Sequence, residues 1–399
     1  MQPMQLLHNM LINKIPTVNK ARLKSLIAST STLVSCKKLT LTSLGRNMNN
    51  LSKTRSNIRK VDRLLGNQNL QAELKNYYKS LNELIIPSDI LFQINIDWSC
   101  LSSINKLYVL RACIPIKGRG IVVYEESHPK TNENNHEAHI RFLKNLKKVL
   151  PKASKPVLVT DAGFRAKWFA QVTKMGWDYV GRIRNNNLVK LSENKQWCNS
   201  KKLYKKASGK PVFLGNGLLT KNIKFTANFI IYKGKPKNRT RLNQSKVRST
   251  SSKNKRYSKS YSEPWLLVTS LNQYVKQPHN IINIYKRRMQ IEENFRDTKD
   301  RRYGFGLNES GSKTPQRMNI LLLIAALASF ACWIAGIVTR KSNNAVDFQA
   351  HSSKFVNALS IVYLGCEALR KNLIISNKDF WGAITDIRDK NFYIMSGYP

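Results

Sequence analysis

Nineteen residues from Ile320 to Val338, ILLLIAALASFACWIAGIV, contain no charged side chain. As a helix rising about 1.5 Å per residue, such a run just reaches across a bilayer core. A helix apolar on every side is equally what the central element of a protein core looks like. There is no second run of this kind, and the chain is strongly polar on both sides of this one, which favours a buried core helix over a membrane span. At 399 residues the chain exceeds one compact domain of ordinary size, so several modules are expected, one of them with a sizeable core.

The charge balance narrows the partner. Lys and Arg number 68 against 23 Asp and Glu, for a formal charge of +45, and self-repulsion on that scale is usually tolerated when a polyanion offsets it. Nucleic acid is the leading partner. A ribosome-associated or a peripheral membrane protein are the plainer alternatives, and charge alone does not separate DNA from RNA. The six cysteines, Cys36, Cys100, Cys113, Cys198, Cys332 and Cys366, include no C-x-x-C pair, so they read as reduced, mostly buried thiols rather than a zinc site or a disulfide framework. The first fifteen residues lack a basic start, an uninterrupted apolar stretch and a small-residue cleavage site, so a cytoplasmic protein without a secretory signal is expected.

Residues 1 to about 85 alternate apolar positions at helical spacing with basic residues and read as a helical region on DNA. Within it TRSNIRKVDRLL, from Thr54 to Leu65, places Arg55, Arg59 and Arg63 in one stripe and Ile58, Val61, Leu64 and Leu65 on the packing side. That is the build of a groove-reading helix, and also of a merely solvated basic face. Over 86–184 the texture turns to strands: LFQINIDW ending near Asp97, LYVLRACIPI, RGIVVYEES, then a helix from about Glu133 to Val149, the strand PVLVTD, a helix from about Phe164 to Met175 and the strand DYVGRI. Strand, strand, strand, helix, strand, helix, strand is the order of a ribonuclease-H-like α/β fold. Residues 185–262 interrupt it as a β-rich insertion, in which eleven basic and no acidic residues lie between Ile231 and Tyr261. This stretch reads as a loop lying on phosphates, or as a solvated loop. The core resumes over 263–340 with PWLLVTSL, a helix running from near Asn280 past Lys299, and the apolar helix; 341–399 reads as a helical C-terminal region with possible dimer contacts.

Asp97 and Asp161 each follow an apolar, β-rich run, where a sheet presents side chains beside loops. A lone Asp in that position is more often a turn residue. In IYKRRMQIEENFRDTK, from Ile284 to Lys299, a continuous helix at about 100° per residue would put Tyr285, Arg288, Glu292 and Lys299 within a wedge of about 60°, with Glu293 turned away. A carboxylate ringed by cations suits metal-bound phosphate, although Arg288 and Glu292 alone would also serve as a surface ion pair.

This pattern, Y-x2-R-x3-E-x6-K filled by Tyr285, Arg288, Glu292 and Lys299, resembles the Y-R-E-K signature of bacterial insertion-sequence DDE transposases. That group includes the hairpin-forming cut-and-paste enzyme of the tetracycline-resistance transposon. INIDW at Asp97, VTDAGFR at Asp161 and the β-rich insertion before the Glu helix extend the resemblance over nearly the whole chain. It implies a ribonuclease-H-like catalytic core in which Asp97, Asp161 and Glu292 hold two magnesium ions, with manganese as a substitute, for in-line phosphoryl transfer. The reactions implied are end nicking, hairpin formation, hairpin opening and joining to target DNA. Tyr285, Arg288 and Lys299 would hold phosphates. Trp265 would stack on a flipped base, or be an ordinary core aromatic. The implied partners are double-stranded DNA, first transposon ends and then target, and a second copy of the chain in a synaptic homodimer, on the bacterial nucleoid and without a membrane. A non-catalytic DNA-binding regulator accounts for the charge but not for the acids, and a general nuclease of the same fold is the nearest rival.

Overall fold

A computed structural model describes residues 2–392 apart from 117, 185–186, 194–195, 236–250, 253–262, 343–344, 351 and 353–357. Most of the basic stretch expected to lie on phosphates therefore falls outside the described residues. The chain divides into two compact units, a larger one made of Met1–Lys155 with Met289–Pro399, and a smaller one, Pro156–Arg288.

The larger unit opens with helices α1 (Pro3–Lys14), α2 (Lys20–Cys36), α3 (Leu41–Arg46), α4 (Thr54–Leu65) and α5 (Gln68–Ile85). Asn19, Thr40 and Asn67 cap α2, α3 and α5 by accepting from the backbone N–H three residues on, which satisfies donors that the first turn leaves free. Three antiparallel strands follow, β1 (Leu91–Ser102), β2 (Leu107–Ile116) and β3 (Arg119–Pro129), joined as a meander and succeeded by α6 (His136–Val149). Here one expectation fails. β1 does not end near Asp97; it runs five residues further, with Asp97 opposite Arg111 and with Trp98, Ser99, Cys100 and Ser102 still paired to β2 around a bulge at Leu101. The hairpin partner satisfies the backbone groups of the paired residues, so polar side chains there do not end the strand.

In the smaller unit β4 (Lys155–Thr160), α7 (Ala166–Lys174) and β5 (Asp178–Ile183) form a parallel β-α-β step. Next come β6 (Leu188–Leu191), β7 (Cys198–Asn199), β8 (Val212–Leu219), β9 (Phe225–Tyr232) and β10 (Trp265–Thr269). The strand order β4-β5-β10-β9-β8-β6-β7 is antiparallel beyond β5. The order of strands and helices from β1 to β5 is thus the one expected from sequence. Helix α8 (Pro278–Lys286) ends in a 3-10 turn, Arg287–Met289, before α9 (Gln290–Lys299) begins. The expected single helix through Lys299 is therefore interrupted. A 3-10 turn advances about 20° more per residue than an α-helix, so the shared face holds for Tyr285 with Arg288 and for Glu292 with Lys299, but not by one count across all four.

The apolar run lies in α10 (Pro315–Lys341), and 94% of its most apolar window is buried inside the protein. It is packed by α1, α2, α4, α5, β3, α11 (Ile361–Arg370) and α12 (Asn377–Phe392), so it is a core helix. Each fully buried Leu, Ile or Phe along it contributes about 1.5–3 kcal/mol. Gly336 and Gly365 allow α10 and α11 to meet backbone to backbone: a Cβ on Gly365 would stand 1.8 Å from the Cys332 carbonyl oxygen. Of the six free thiols, Cys113, Cys332 and Cys366 are buried and the others half-buried.

Helix α9 lies on the meander, and one of its ties is an ion pair, Arg119 Nε to Asp297 Oδ2 at 3.1 Å. Burial pushes the Asp297 carboxyl up from 3.8 to about 6, outweighing the pull of Arg119 and Arg296. With the folded value above the unfolded one, the folded chain holds a proton that the unfolded chain releases, so this group lowers stability as pH rises from about 4 to about 6. Asp297→Asn is expected to remove that component. Between pH of about 4 and 7 the unaltered chain should lose on the order of 1–3 kcal/mol relative to the Asn variant, read from urea unfolding curves. Parallel pH profiles for the two proteins would show that Arg119 fully compensates the ionised carboxylate.

Candidate active site

A polar cavity of about 440 Å³ in the larger unit is lined by Asp97, Trp98 and Ser99 of β1, by Glu292, Phe295, Arg296 and Lys299 of α9, and by Asp300 and Asn308. Asp97 is half-buried, and its Oδ1 accepts from the Trp98 backbone N–H at 2.8 Å. The Trp98 indole N–H donates to His139 Nε2 at 2.9 Å. Burial, helped by His136 and His128, pushes His139 down to about 4, so near neutral pH its ring is uncharged and able to accept that bond.

Glu292 and Lys299 are seven residues apart in α9, two turns on one face. Lys299 Nζ donates to Ser99 Oγ at 2.7 Å and to the Cys100 carbonyl at 3.3 Å, tying the end of α9 to β1. Burial and the nearby Arg111 lower the Lys299 pKa, against the opposing pull of Cys100 and Asp97. Glu293 is engaged elsewhere, 2.5 Å from Arg296 and 3.4 Å from Arg119, so Glu292 is the carboxylate of the pair that lines the cavity.

The smaller unit carries the other expected residues. Asp161 directly follows β4 and is half-buried; its Oδ1 accepts from Gly163 N–H at 2.8 Å, which fixes the turn. Burial raises the Tyr285 phenol against the pull of Arg288 and Arg182, with Asp161 adding to the rise. The phenol therefore stays neutral and bonded to the Arg288 side chain, whose guanidinium lies 5.9 Å from the Tyr285 ring centre. Trp265, half-buried at the start of β10, meets Tyr285 edge-on, with ring centroids 4.9 Å apart and planes at 72°. Its strand neighbour Tyr232 lies 5.9 Å away.

Arg55, Arg59 and Arg63 are exposed on α4, while Val61, Leu64 and Leu65 are buried and Ile58 half-buried. The helix is firmly seated. Gly45 of α3 lets the two backbones close in, a Cβ there falling 2.6 Å from Ile58 Cα, and Asp62 bonds Arg317 at 2.6 Å on the first turns of α10.

Sequence reasoning did not single out Trp98, Ser99 or His139. Ser99 was accessible to it: once β1 is extended through Asp97, the period of two puts residues 97 and 99 on one face. As for metal, among the described residues of either unit no three His, Cys, Asp or Glu side chains form a ready cage. The larger unit offers Asp97, Glu292 and Asp300 around a polar cavity, hard oxygen donors of the kind that a hydrated divalent ion takes, and the smaller one offers Asp161.

The family model described as transposase DDE domain matches residues 103–330, more than half of the chain. The matched span includes Asp161 and Glu292 and starts after Asp97, which lines the same cavity as Glu292. No curated protein matches the chain. On the match to the family model, the chain belongs to the transposase DDE domain family, DNA-cleaving and strand-transferring enzymes that generally depend on divalent metal ions.

Proposed function

We propose that the chain is a cut-and-paste transposase of a bacterial insertion sequence, carrying the Y-R-E-K signature and akin to the hairpin-forming enzyme of the tetracycline-resistance transposon. The observation that carries this reading is the cavity shared by Asp97 and Glu292, with Lys299 pinned at its rim, in a chain of the transposase DDE family. Asp161 is the third acid and the catalytic core is ribonuclease-H-like. Asp97, Asp161 and Glu292 would hold two magnesium ions, or manganese in their place, which would supply Lewis acidity for phosphoryl transfer. Lys299 and Arg288 hold phosphate oxygens, and the neutral Tyr285 phenol donates a hydrogen bond to one. Water attacks phosphorus at the transposon end and frees a 3′-hydroxyl. That hydroxyl attacks the opposite strand to close a hairpin, a second water opens it, and the restored 3′-hydroxyl joins to target DNA.

The helical region 1–85 binds transposon ends through the exposed face of α4, residues 341–399 contribute to a homodimer that holds two ends, and the enzyme acts on nucleoid DNA in the bacterial cytoplasm. Replacing Asp97, Asp161 or Glu292 by Ala is expected to slow every chemical step by roughly a thousandfold or more, about 4 kcal/mol of barrier, with end binding retained. A labelled end duplex with magnesium, scored for nick, hairpin and joined product, reads this directly. Normal nicking by any one variant would remove that residue from the site, and nicks without joined product in the unaltered protein would make the chain a nuclease.

Neutralising Arg55, Arg59 and Arg63 together is expected to weaken end binding and to reduce the slope of log affinity against log salt by up to about 3. If these side chains also read bases, the preference for end over random duplex falls as well. An unchanged binding isotherm would make the stripe a solvated face.

Trp265→Ala is expected to spare the first nick and slow hairpin formation by roughly tenfold or more, because a base must leave the stack at the sharp bend and the indole would receive it. Equal slowing of both steps, or of neither, in a folded variant would make Trp265 a packing residue for Tyr285.

A further inference from the structure

Arg111 is a cation with no access to solvent, 0% exposed, in the strand beside Asp97 and directly opposite it in register. Its Nε and one terminal nitrogen face Glu125 at 2.7 and 2.6 Å, and Tyr78 donates its hydroxyl to the same carboxylate at 3.4 Å. The other terminal nitrogen turns to α9. It donates to Asn294 Oδ1 at 2.8 Å, to the Asn294 carbonyl at 3.2 Å and to Thr298 Oγ1 at 3.1 Å. Asn294 in turn donates to the Gly120 carbonyl at 2.8 Å, and the Phe295 ring lies 4.7 Å from the guanidinium.

An apolar contact would tolerate a small slide or roll of α9 on the strands, whereas these bonds do not. Rotating the helix by one residue, about 100°, or sliding it by about 1.5 Å breaks them together and leaves a buried cation short of partners, which is strongly disfavoured. Asn294 and Thr298, four residues apart, meet Arg111 of β2; Glu292 and Lys299, roughly 100–160° further round the same helix, line the cavity beside β1. Fixing one face fixes the other.

We infer that Arg111, held by Glu125, is the positioning residue for Glu292: through Asn294 and Thr298 it sets the rotation and register of α9, so that the Glu292 carboxylate faces Asp97. The inference rests on the reading of Asp97 and Glu292 as a metal-holding pair. Removing Arg111 itself would strand Glu125 and threaten the fold, so the test works from the helix side. Thr298→Val, alone and with Asn294→Leu, removes acceptors while keeping bulk, and Thr298→Ser keeps the hydroxyl. In the full-length protein, Mn2+ binding is measured by calorimetry, amide exchange over residues 290–299 by mass spectrometry, and folding by thermal unfolding.

The expected result is an Mn2+ dissociation constant raised about tenfold in the double variant, the usual scale for groups that orient a metal ligand. Faster exchange confined to α9, a smaller change in the same direction for Thr298→Val, and behaviour like the unaltered chain for Thr298→Ser complete it. Should the double variant not fold, Thr298→Val against Thr298→Ser decides. Glu292→Ala provides the separate control: if it binds Mn2+ normally, the reading of the carboxylate pair fails. If Glu292→Ala loses Mn2+ while the helix-side variants bind it normally with unchanged exchange, Arg111 is only a satisfied core group and the inference is overturned.

Discussion

A helix with no polar side must be covered on every side, and α10 imposes that demand on the whole larger unit. Its apolar surface takes up the N-terminal helices, the C-terminal helices and β3, so sequence segments from both ends of the chain gather around one element. The close approach at Gly336 and Gly365 shows how tightly this is done. Polar anchors at its first turns then set the angle. Asn319 accepts from the Ser127 backbone N–H at 2.7 Å, and the single Ser127 hydroxyl proton is shared between the Asn319 side-chain oxygen at 2.8 Å and the Pro315 carbonyl at 2.7 Å. β3 is thereby pinned, β2 and β1 follow by pairing, and Asp97 stands where that chain of contacts puts it.

What could be read from sequence was local or periodic. The basic helix has the bounds that its pattern gives, Thr54–Leu65, because the apolar spacing and the Gly66 stop lie within one short segment. The strands and helices from β1 to β5 were likewise legible in order. Asp97 was misplaced within its strand, since a change from apolar to polar residues looks like an ending when the hairpin partner is not in view. The interruption at Arg287–Met289 had no Gly or Pro to announce it. Tyr285 at the end of α8 therefore meets Arg288 of the turn, and Glu292 and Lys299 share a face of α9. The hydrogen bond from Trp98 to His139 was out of reach because it joins residues forty-one positions apart.

Burial does more at this site than hide apolar surface. It keeps His139 uncharged so that it can accept from Trp98, and lowers the pKa of Lys299 while leaving it two acceptors on β1. Each of these groups is held in a defined hydrogen-bonding state before any substrate arrives. That is how a largely polar cavity is kept ordered.

Several of the scarce acids of this chain pair with cations on other elements. Glu73 meets Arg22, Glu367 meets Lys37, Glu309 meets Lys38 and Arg301, Asp62 meets Arg317, and Asp386 meets Lys341. With Lys and Arg outnumbering Asp and Glu 68 to 23, the net charge is strongly positive, and dissolved ions act on it in two opposed ways. They quiet the repulsion among unpaired cations, which favours the compact state. They also remove the entropy gained when DNA sheds its counterions, which loosens the complex. Ionic strength thus sets folding comfort against grip on the polyanion, and the unbound enzyme and its DNA complex are served best at different salt concentrations.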